Sequence, residues 1–395
     1  MKGKSQSHGM DGALTEVDWP PLELAEVRWL LKQYPECGEA MRILSHSPRP
    51  FSAASVVGTC DKHVFVKRHH RSVRDADGLA EEHGFMEHLR VHGMVVPYVY
   101  ATATGATAVE RDEWMYEIHS LPTGIDLYAE AFSWTPFRSV AHARSTGQAL
   151  AQLHVAAQGF CAPQRKVQPL VGSFSIFGQA DADAGMKAYL AARPSLQRNA
   201  VTRRNAVEAL KLLACFHDEL KPHLAHLNSL WTHNDFHPTN LFWDGNGADA
   251  GVTAVVDFGL SDRTNAVHDL AVAIERSIVD WLALPVGSKG GVPLDIHFDH
   301  LQALLDGYTS VRPMSDAERS SLAPMLALCH AEYALSEADY YLGVLNSPEK
   351  ARMADDWYLL GHARWFRSMY GQKLLDFLRQ WTNEASTHSE RAVSV

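Results

Sequence analysis

The chain has 395 residues, of which 46% are apolar and 9% aromatic, so it is long enough to bury a core in one large domain or in two lobes. Its 46 acidic and 36 basic residues give a net charge of −10, which argues against a nucleic-acid partner held through phosphate contacts. No apolar stretch approaches the roughly 18 to 20 residues of a membrane-spanning helix, and the polar N-terminus lacks the apolar run of a signal peptide. Five dispersed cysteines without a CxxC pair indicate reduced thiols. We therefore expect a cytoplasmic protein without a membrane partner.

Short segments rich in valine, tyrosine and threonine predict a β-rich first lobe. After a loose tail over residues 1–20, this N-terminal lobe is expected over residues 21–116. Its predicted strands are ASVVGT, HVFVKR, VVPYVYATAT and EWMYEIHS. A helix is expected between them, because DGLAEEHGFMEHLRVHG places apolar residues near a helical period.

A hinge is predicted at residues 117–124, and the chain beyond it becomes mainly helical. Amphipathic helices are expected in VAHARSTGQALAQLHVAAQ and in the stretches 203–226 and 319–345. The exception is a predicted hairpin in which NLFWD and VTAVVDFG flank the turn DGNGADAG. The C-terminal lobe is expected over residues 125–380, followed by a loose tail over 381–395. The expected fold class is therefore α+β, with a small β-rich lobe and a larger α-helical lobe.

The strongest chemical signal is the polar stretch THNDFHPTN, which has the spacing His233-x-Asp235-x-x-x-x-Asn240. A kinase catalytic loop has this spacing, because its aspartate orients the acceptor hydroxyl and takes its proton while its asparagine offers an oxygen to Mg²⁺. The DFG triplet that begins at Asp257 then ends an apolar strand, where a carboxylate can reach a cation that bridges the phosphates. Each motif alone is also explained as a turn, because Asp and Asn favour turns. The two together, in this order, indicate phosphoryl transfer.

An upstream lysine completes the pattern. Lys67 closes the run HVFVK, where a strand lysine reaches the α- and β-phosphates, although VKRHHR is also explained as a solvated strand end. Such a lysine needs a carboxylate to hold it, and the following helix offers Glu82, with Glu81 and Glu87 as alternatives. The order of lysine, helix glutamate, hinge, catalytic loop and DFG triplet predicts a phosphotransferase.

These motifs resemble the aminoglycoside phosphotransferase family, which shares the protein-kinase-like fold with choline and homoserine kinases. The resemblance covers about residues 40–345 and includes HNDFHPTN, LPTG, GQALAQLH and AVHDLA. The chain departs from the family at Asn234, where a glycine is usual. It departs also at HSPRPFSAAS, which has no glycine where the phosphates should be covered.

The resemblance implies a role for each matching residue of the reaction centre. Asp235 would be the catalytic aspartate, and Asn240 and Asp257 would bind Mg²⁺. Lys67 would hold the phosphates of ATP, with Glu82 as its partner.

The resemblance also implies supporting roles around that centre. Asp269, in AVHDLA, would brace the catalytic loop by hydrogen bonding. The backbone groups of Glu117, Ile118 and His119 would form the hinge that receives the adenine. His233 is expected to anchor backbone rather than to transfer a proton.

Four carboxylates and one histidine are candidates for binding the acceptor: His237, Asp262, Glu332, Glu337 and Asp339. The histidine either faces the substrate or caps the loop. The segment CHAEYALSEADYYLGVL, which holds the last three carboxylates, is explained either as an amphipathic helix with a solvated face or as a substrate wall that suits a cationic amine. The chain has 22 histidines, but none of them combines an HxxxH or HExxH motif with a third ligand, so exposed or core histidines are expected rather than a metal site.

The sequence thus predicts an ATP- and Mg²⁺-dependent kinase that phosphorylates a hydroxyl of a small molecule. The expected acceptor is an amino alcohol, an amino acid or a sugar-like metabolite. The alternatives are an aminoglycoside antibiotic as acceptor, or a kinase-like binding module without activity. A protein kinase is disfavoured, because no activation segment ending in APE follows the DFG triplet. The oligomeric state and the choice between ATP and GTP stay open.

Overall fold

An antiparallel sheet dominates the first lobe of this computed structural model, which describes the backbone of residues 6–8 and 14–393 and the side chains of residues 17–384. In chain order, the elements of this lobe are β1 (Gln6–His8), β2 (Leu14–Glu16), α1 (Leu24–Leu31), β3 (Ala40–His46), β4 (Ala53–Thr59), β5 (His63–His70), α2 (Ala76–Val91), β6 (Ala108–Arg111) and β7 (Trp114–Ser120). Five of the strands form one sheet in the order β3-β4-β5-β7-β6, and β1 pairs with β2.

The two faces of this sheet differ in chemistry because side chains alternate along each strand. Val64 and Val66 of β5 are fully buried in a core that α1 covers with Val27. Lys67 lies on the opposite face, where its register partner on β7 is Glu117. The sheet therefore presents an apolar face to α1 and a polar face to the remainder of the molecule.

Helices make up most of the second lobe. In chain order, its elements are α3 (Val140–Ala156), α4 (Ala182–Ala191), α5 (Pro194–Arg198), α6 (Ala200–Leu220), β8 (Ser229–Thr232), β9 (Leu241–Trp243), β10 (Val252–Val255), β11 (Asp262–Asn265), α7 (Ala266–Ile278), α8 (Phe298–Val311), α9 (Asp316–Leu328), α10 (His330–Gly343), α11 (Pro348–Met353), a π-helical turn (Ala354–Leu359), α12 (Leu360–Arg367) and α13 (Met369–Val393). β8 pairs with β11 and β9 with β10, both antiparallel. Helix α7 is buried along its whole length, so it forms the centre of this lobe.

The predicted α+β fold with two unequal lobes is confirmed. The strands in ASVVGT, HVFVKR and EWMYEIHS and the hairpin of β9 and β10 are confirmed as well. The strand predicted in VVPYVYATAT is wrong: this segment makes one isolated bridge, between Val99 and His119, and Pro97 interrupts it with a residue that lacks a backbone N–H. The predicted helix over 319–345 divides at Cys329 into α9 and α10.

The structure differs from the two predicted tails. Asp18 and Trp19 were expected in a loose N-terminal tail, but the side chain of Asp18 is 1% exposed and forms an ion pair with Lys350. Trp19 stacks on the ring of His70 with 5.3 Å between centroids. At the other end, α13 continues past residue 381, where the second tail was predicted to begin.

Parts of the two predicted tails fall on residues that the structure does not describe. Residues 1–5, 9–13 and 394–395 of the predicted tails lie outside the described residues. The boundaries 21–116, 117–124 and 125–380 stay predictions. Among the helices of the described chain, none is long and apolar enough to cross a membrane.

Candidate active site

A cleft of about 700 Å³ lies between the lobes and contains the polar residues predicted for phosphoryl transfer. Its walls include Lys67 from β5, Asp235 and Asn240 from the loop between β8 and β9, and Asp257 just after β10. The pairing of β9 with β10 brings the last two of these segments side by side. The sheet of the first lobe supplies the lysine from the opposite wall.

The backbone of the catalytic loop is fixed by a buried carboxylate behind it. Asp269, in the first turn of α7, is 0% exposed. Its oxygens accept hydrogen bonds from the backbone N–H groups of His233 (2.9 Å) and Asn234 (2.8 Å) and from Nε2 of His154 (3.0 Å). The Nε2–H of His233 donates to the carbonyl of Val256 at 3.0 Å. Both side chains that hold the loop are thus buried beneath it rather than exposed to the cleft.

Asn234 explains how a residue other than glycine occupies the second position of the HxD motif. Its φ is +61°, in the left-handed region that asparagine tolerates better than most residues. Its Oδ1 accepts a hydrogen bond from Oγ1 of Thr232 (2.9 Å) and lies 3.2 Å from Oγ1 of Thr264 and from Nδ1 of His268. Its Nδ2 donates to the carbonyl of Leu260 at 3.2 Å. The side chain therefore ties the catalytic loop to β8 and β11.

Asp235 is a partly accessible carboxylate with positive neighbours. Its Oδ1 lies 3.4 Å from an Nη of Arg276 and 3.4 Å from Nε2 of His237. Burial alone would raise the pKa of Asp235, but His237 and Arg276 outweigh it and hold that pKa below its ordinary value. Burial lowers the pKa of His237 itself, which favours its uncharged form. Arg276 is therefore the neighbour of Asp235 that keeps its positive charge. An ionised carboxylate at the cleft wall can orient a hydroxyl group and accept its proton.

An ion pair joins the two walls of the cleft. Nζ of Lys67 lies 2.8 Å from Oδ1 of Asp257, whose side chain is 41% exposed. Burial would lower the pKa of Lys67, but the charges of Asp257 and Glu117 outweigh it and raise that pKa. The lysine is therefore a permanent cation at the cleft surface.

Asp257 and Asn240 together offer oxygen atoms that suit a hard divalent cation. The Nδ2 of Asn240 donates to the backbone carbonyl of Asp235 (2.9 Å) and to its Oδ2 (3.1 Å), so the amide oxygen is the atom left to act as a ligand. Mg²⁺ prefers carboxylate and carbonyl oxygens of this kind. The residues present thus fit Mg²⁺.

Next to Asp235, aromatic rings and a buried carboxyl group line the cleft. The guanidinium carbon of Arg276 lies 4.3 Å from the ring centre of Trp134 and 5.0 Å from that of Tyr333. Glu337, which is 1% exposed, borders the same cleft, and burial raises its pKa to about 8. Its Oε2 has no hydrogen-bond partner among the described residues. The guanidinium of Arg276 already occupies these rings, so Oε2 of Glu337 is the atom here that can accept a hydrogen bond from a ligand amine.

Arg49 lies in the glycine-poor loop between β3 and β4 and borders the cleft. Burial lowers its pKa, and the charges of Asp126, Asp257 and Asp235 oppose that effect. One Nη lies 3.5 Å from the carbonyl of Ala131. The loop therefore presents a guanidinium group where a glycine-rich loop would present backbone amides.

The sequence of this region matches a known family. Residues 51–313, which are more than half of the chain, match the model of the "Phosphotransferase enzyme family" (APH). The chain belongs to this phosphotransferase family.

Relatives and solved structures are similar to the chain at low identity. A homoserine kinase of Rhizobium johnstonii is 24% identical over 252 residues, which are 62% of this chain and 63% of that protein. The match therefore spans less than two thirds of this curated relative. A microcompartment-associated aminopropanol kinase has a TM-score of 0.54 at 16% identity and covers 86% of this chain and 95% of that one. An amicoumacin kinase in complex with AMP-PNP and Ca²⁺ has a TM-score of 0.53 at 13% identity, with coverage of 87% and 92%.

In this phosphotransferase-family chain, the predicted ion pair between Lys67 and a helix glutamate is absent among the described residues. Glu82 lies beside Arg165 instead, with 3.8 Å between Oε2 and an Nη, and Glu81 faces Arg165 at 3.7 Å. Glu87 forms an ion pair with a neighbouring arginine on the surface. The physical reason is that a fully buried guanidinium needs a counter-charge, and the helix supplies it there.

The backbone groups predicted to receive the adenine are already paired. Glu117 to His119 lie inside β7 and are hydrogen-bonded to β5 on one side. On the other side, the carbonyl of Ile118 accepts a hydrogen bond from the N–H of Tyr100 (2.9 Å). Of the three predicted residues, His119 borders the cleft, together with Ser120, Leu121 and Pro122 that follow it.

Two of the five residues predicted to bind the acceptor, His237 and Glu337, border the cleft. Asp262 and Glu332 accept hydrogen bonds from the segment between α3 and α4 instead. Asp339 accepts a hydrogen bond from the hydroxyl group of Ser195 in α5. The prediction for Glu332 and Asp339 was wrong because α10 is buried along most of its length. Its sequence therefore has no single polar face that would mark the side that meets the cleft.

The residues that border the cleft and were missed at the sequence level include Arg49, Trp134 and Arg276. No motif marks Trp134. The lack of glycine around Arg49 was a signal, as was the charged Arg276 within the mostly apolar segment AVHDLAVAIERSI, since a charge in a buried helix requires a partner.

Proposed function

We propose that this protein transfers the terminal phosphoryl group of ATP to a hydroxyl group of a small molecule. The observation that carries the proposal is that Lys67, Asp235, Asn240 and Asp257 all border one cleft between the lobes. Membership of the phosphotransferase family supports it. Because all five cysteines are free thiols, we further propose a reducing, cytoplasmic location.

The residues of the cleft would divide the work of transfer. Asp235 would orient the acceptor hydroxyl and accept its proton as the new oxygen–phosphorus bond forms. The bond to the β-phosphate breaks at the same time, and ADP leaves with the electron pair. Lys67 and Arg49 would bind the phosphate oxygens, and most of the rate would come from positioning and charge neutralisation. Mg²⁺, when bound by Asn240 and Asp257, supplies further neutralisation of phosphate charge.

The acceptor we propose is an amino alcohol, an amino acid or a sugar-like metabolite that carries an amine. Within the part of the chain that the structure describes, Oε2 of the buried Glu337 has no hydrogen-bond partner, and this carboxyl group borders the same cleft as Asp235. Arg276 would orient the acceptor further if it carries a carboxylate, as amino acids do. The names of two similar proteins, a homoserine kinase and an aminopropanol kinase, are consistent with this class.

An ADP-release assay against amino alcohols, amino acids, sugars and aminoglycosides tests the proposal. We expect release that depends on Mg²⁺ and on an amine-bearing hydroxyl compound. Asp235→Asn should lower kcat by about a thousandfold or more while ATP affinity changes little. The matched control is Asp244→Asn, an exposed carboxylate in the neighbouring hairpin turn, which should keep full activity.

Two results would contradict the proposal. Near-normal turnover by Asp235→Asn would overturn the assigned mechanism. Stabilisation of the protein by ATP without turnover of any acceptor would favour a binding module that lacks activity.

A further inference from the structure

A second cluster of polar groups lies on the inner face of the first lobe, behind Lys67. Glu117 of β7 is 0% exposed, and three imidazole rings converge on its carboxylate. Its Oε2 lies 2.6 Å from Nε2 of His83 and 3.1 Å from Nε2 of His119, and its Oε1 lies 2.9 Å from Nε2 of His69. The proposed phosphate-transfer chemistry uses none of these four side chains.

The four side chains come from three rigid elements. His69 lies on β5, Glu117 and His119 lie two residues apart on one face of β7, and His83 lies on α2. Nδ1 of His83 lies 2.8 Å from Oγ1 of Thr107, so the outer nitrogen of this ring is held while the inner nitrogen points at the carboxylate. Histidines that bind metals are oriented in this way, by a hydrogen bond to the nitrogen that is not a ligand.

The spacing of the inner atoms suits a small cation. One ligand atom from each of His83, Glu117 and His119 lies within 4.8 Å of the others. With metal–ligand bonds of about 2.0 to 2.1 Å, the ligand atoms of a tetrahedral zinc site are about 3.3 Å apart. The observed nitrogen–oxygen distances of 2.6 and 3.1 Å are shorter than this by about 0.7 and 0.2 Å, so the ring of His83 would move outward by more than that of His119 to admit the ion.

We propose that His83, His119 and Glu117 bind a transition-metal ion of the Zn²⁺ class, with His69 completing the site as a fourth ligand or as a hydrogen-bond donor to the carboxylate. The imidazole ligands distinguish this site from the oxygen site of Asn240 and Asp257, because imidazole suits zinc, cobalt and nickel whereas oxygen ligands suit Mg²⁺. The ion would cross-link β5, β7 and α2 directly behind Lys67. Its role would be to hold the wall that carries the phosphate-binding lysine.

The electrostatics of the surroundings tolerate the added charge. Glu117 contributes one negative charge and neutral imidazoles contribute none, so a bound divalent ion leaves one net positive charge. The carboxylates of Glu82 and Asp257 act on the same region, since both raise the pKa of the adjacent Lys67. These two carboxylates already face the cations Lys67 and Arg165, so Glu117 is the carboxylate that offsets the charge of the ion.

Co²⁺ titration of the full-length protein, after dialysis against a chelator, tests this proposal without relying on activity. We expect one equivalent of Co²⁺ to bind and to produce the intense visible absorption of a tetrahedral site, even in excess Mg²⁺. Octahedral Co²⁺ bound to oxygen ligands at Asn240 and Asp257 absorbs only weakly. If the protein binds no Co²⁺, or binds it only with weak octahedral absorption, the proposal is overturned, and this result requires no variant.

Variants identify the ligands. Glu117→Gln and His83→Gln, each checked for native circular dichroism, should abolish the tetrahedral band. The matched control is the double variant His88→Ala/His92→Ala, which removes a histidine pair on α2 and its C-cap with 4.1 Å between ring centroids. This control should keep the band. Persistence of the band in folded His83→Gln, or its loss in the control, would assign the metal to a different site and refute the proposal.

Discussion

Replacing Asn234 by glycine tests whether conformational strain or side-chain bonding decides this position. The left-handed φ of +61° favours glycine, and the change would relieve about 1 kcal/mol of strain. The same change deletes a side chain that is 4% exposed and bonds to Thr232 and Leu260, at 2.9 and 3.2 Å.

The hydrogen bonds outweigh the strain. Oδ1 of Asn234 accepts about two hydrogen bonds from its three neighbours, and Nδ2 donates one, at about 1 kcal/mol each. The loss is thus about 3 kcal/mol, and the buried hydroxyl of Thr264 and ring nitrogen of His268 lose an acceptor at 3.2 Å. After the relief of strain, the net expected decrease in the free energy of unfolding is about 2 kcal/mol.

Urea denaturation followed by tryptophan fluorescence measures this difference. The matched control is Asn346→Gly, because Asn346 has a φ of +50° but is exposed; this variant should be neutral or slightly stabilised. An Asn234→Gly variant as stable as the wild type, or more stable, would show that strain dominates and that the side-chain network contributes little.

Four further predictions concern the cleft and the helices. Burial raises the pKa of Glu337 to about 8. Its contribution to the free energy of unfolding is therefore full below the unfolded pKa of about 4.5 and is lost as the pH rises through about 8. In urea melts at a series of pH values, Glu337→Gln should make this decline in the free energy of unfolding less steep. As Glu337 ionises, the KM for an amine-bearing acceptor should fall up to about tenfold per pH unit between pH 6 and 8, and a KM that does not vary with pH in the wild type would argue against contact with the amine. Arg49→Ala should lower kcat/KM for ATP by about 10- to 100-fold, as expected for a lost charged hydrogen bond, and a change below about twofold would exclude phosphate binding by this residue. Gly147→Ala should destabilise the protein by about 2 kcal/mol or more, because the new methyl group would overlap the carbonyl oxygen of Leu304 where α3 crosses α8. The control is Gly84→Ala, whose methyl group would meet only a ring atom at 4.0 Å and which should stabilise α2 by about 0.5 kcal/mol. A higher melting temperature for Gly147→Ala than for Gly84→Ala would contradict the packing of α3 on α8.

Local sequence patterns correctly predicted the elements whose structure depends on residues that are neighbours in the chain. The residue types in HVFVKR predicted β5, and the run VTAVVDFG predicted β10 and the aspartate that follows it. The pattern was insufficient at VVPYVYATAT, where Pro97 leaves a single bridge at Val99. It was also insufficient for α1 and β3: α1 buries one side against the remainder of the first lobe, and β3 is mostly exposed.

The sequence by itself determined the two-lobed fold and the loop positions of Asp235, Asn240 and Asp257, because strand and turn propensities and motif spacing are local properties of the chain. Only the tertiary structure decided which charges meet. It pairs Lys67 with Asp257 rather than with Glu82, and it directs three imidazoles at Glu117. These choices depend on which distant segments pack together and on the cost of burying a charge without a partner, and neither quantity can be read from spacing along the chain.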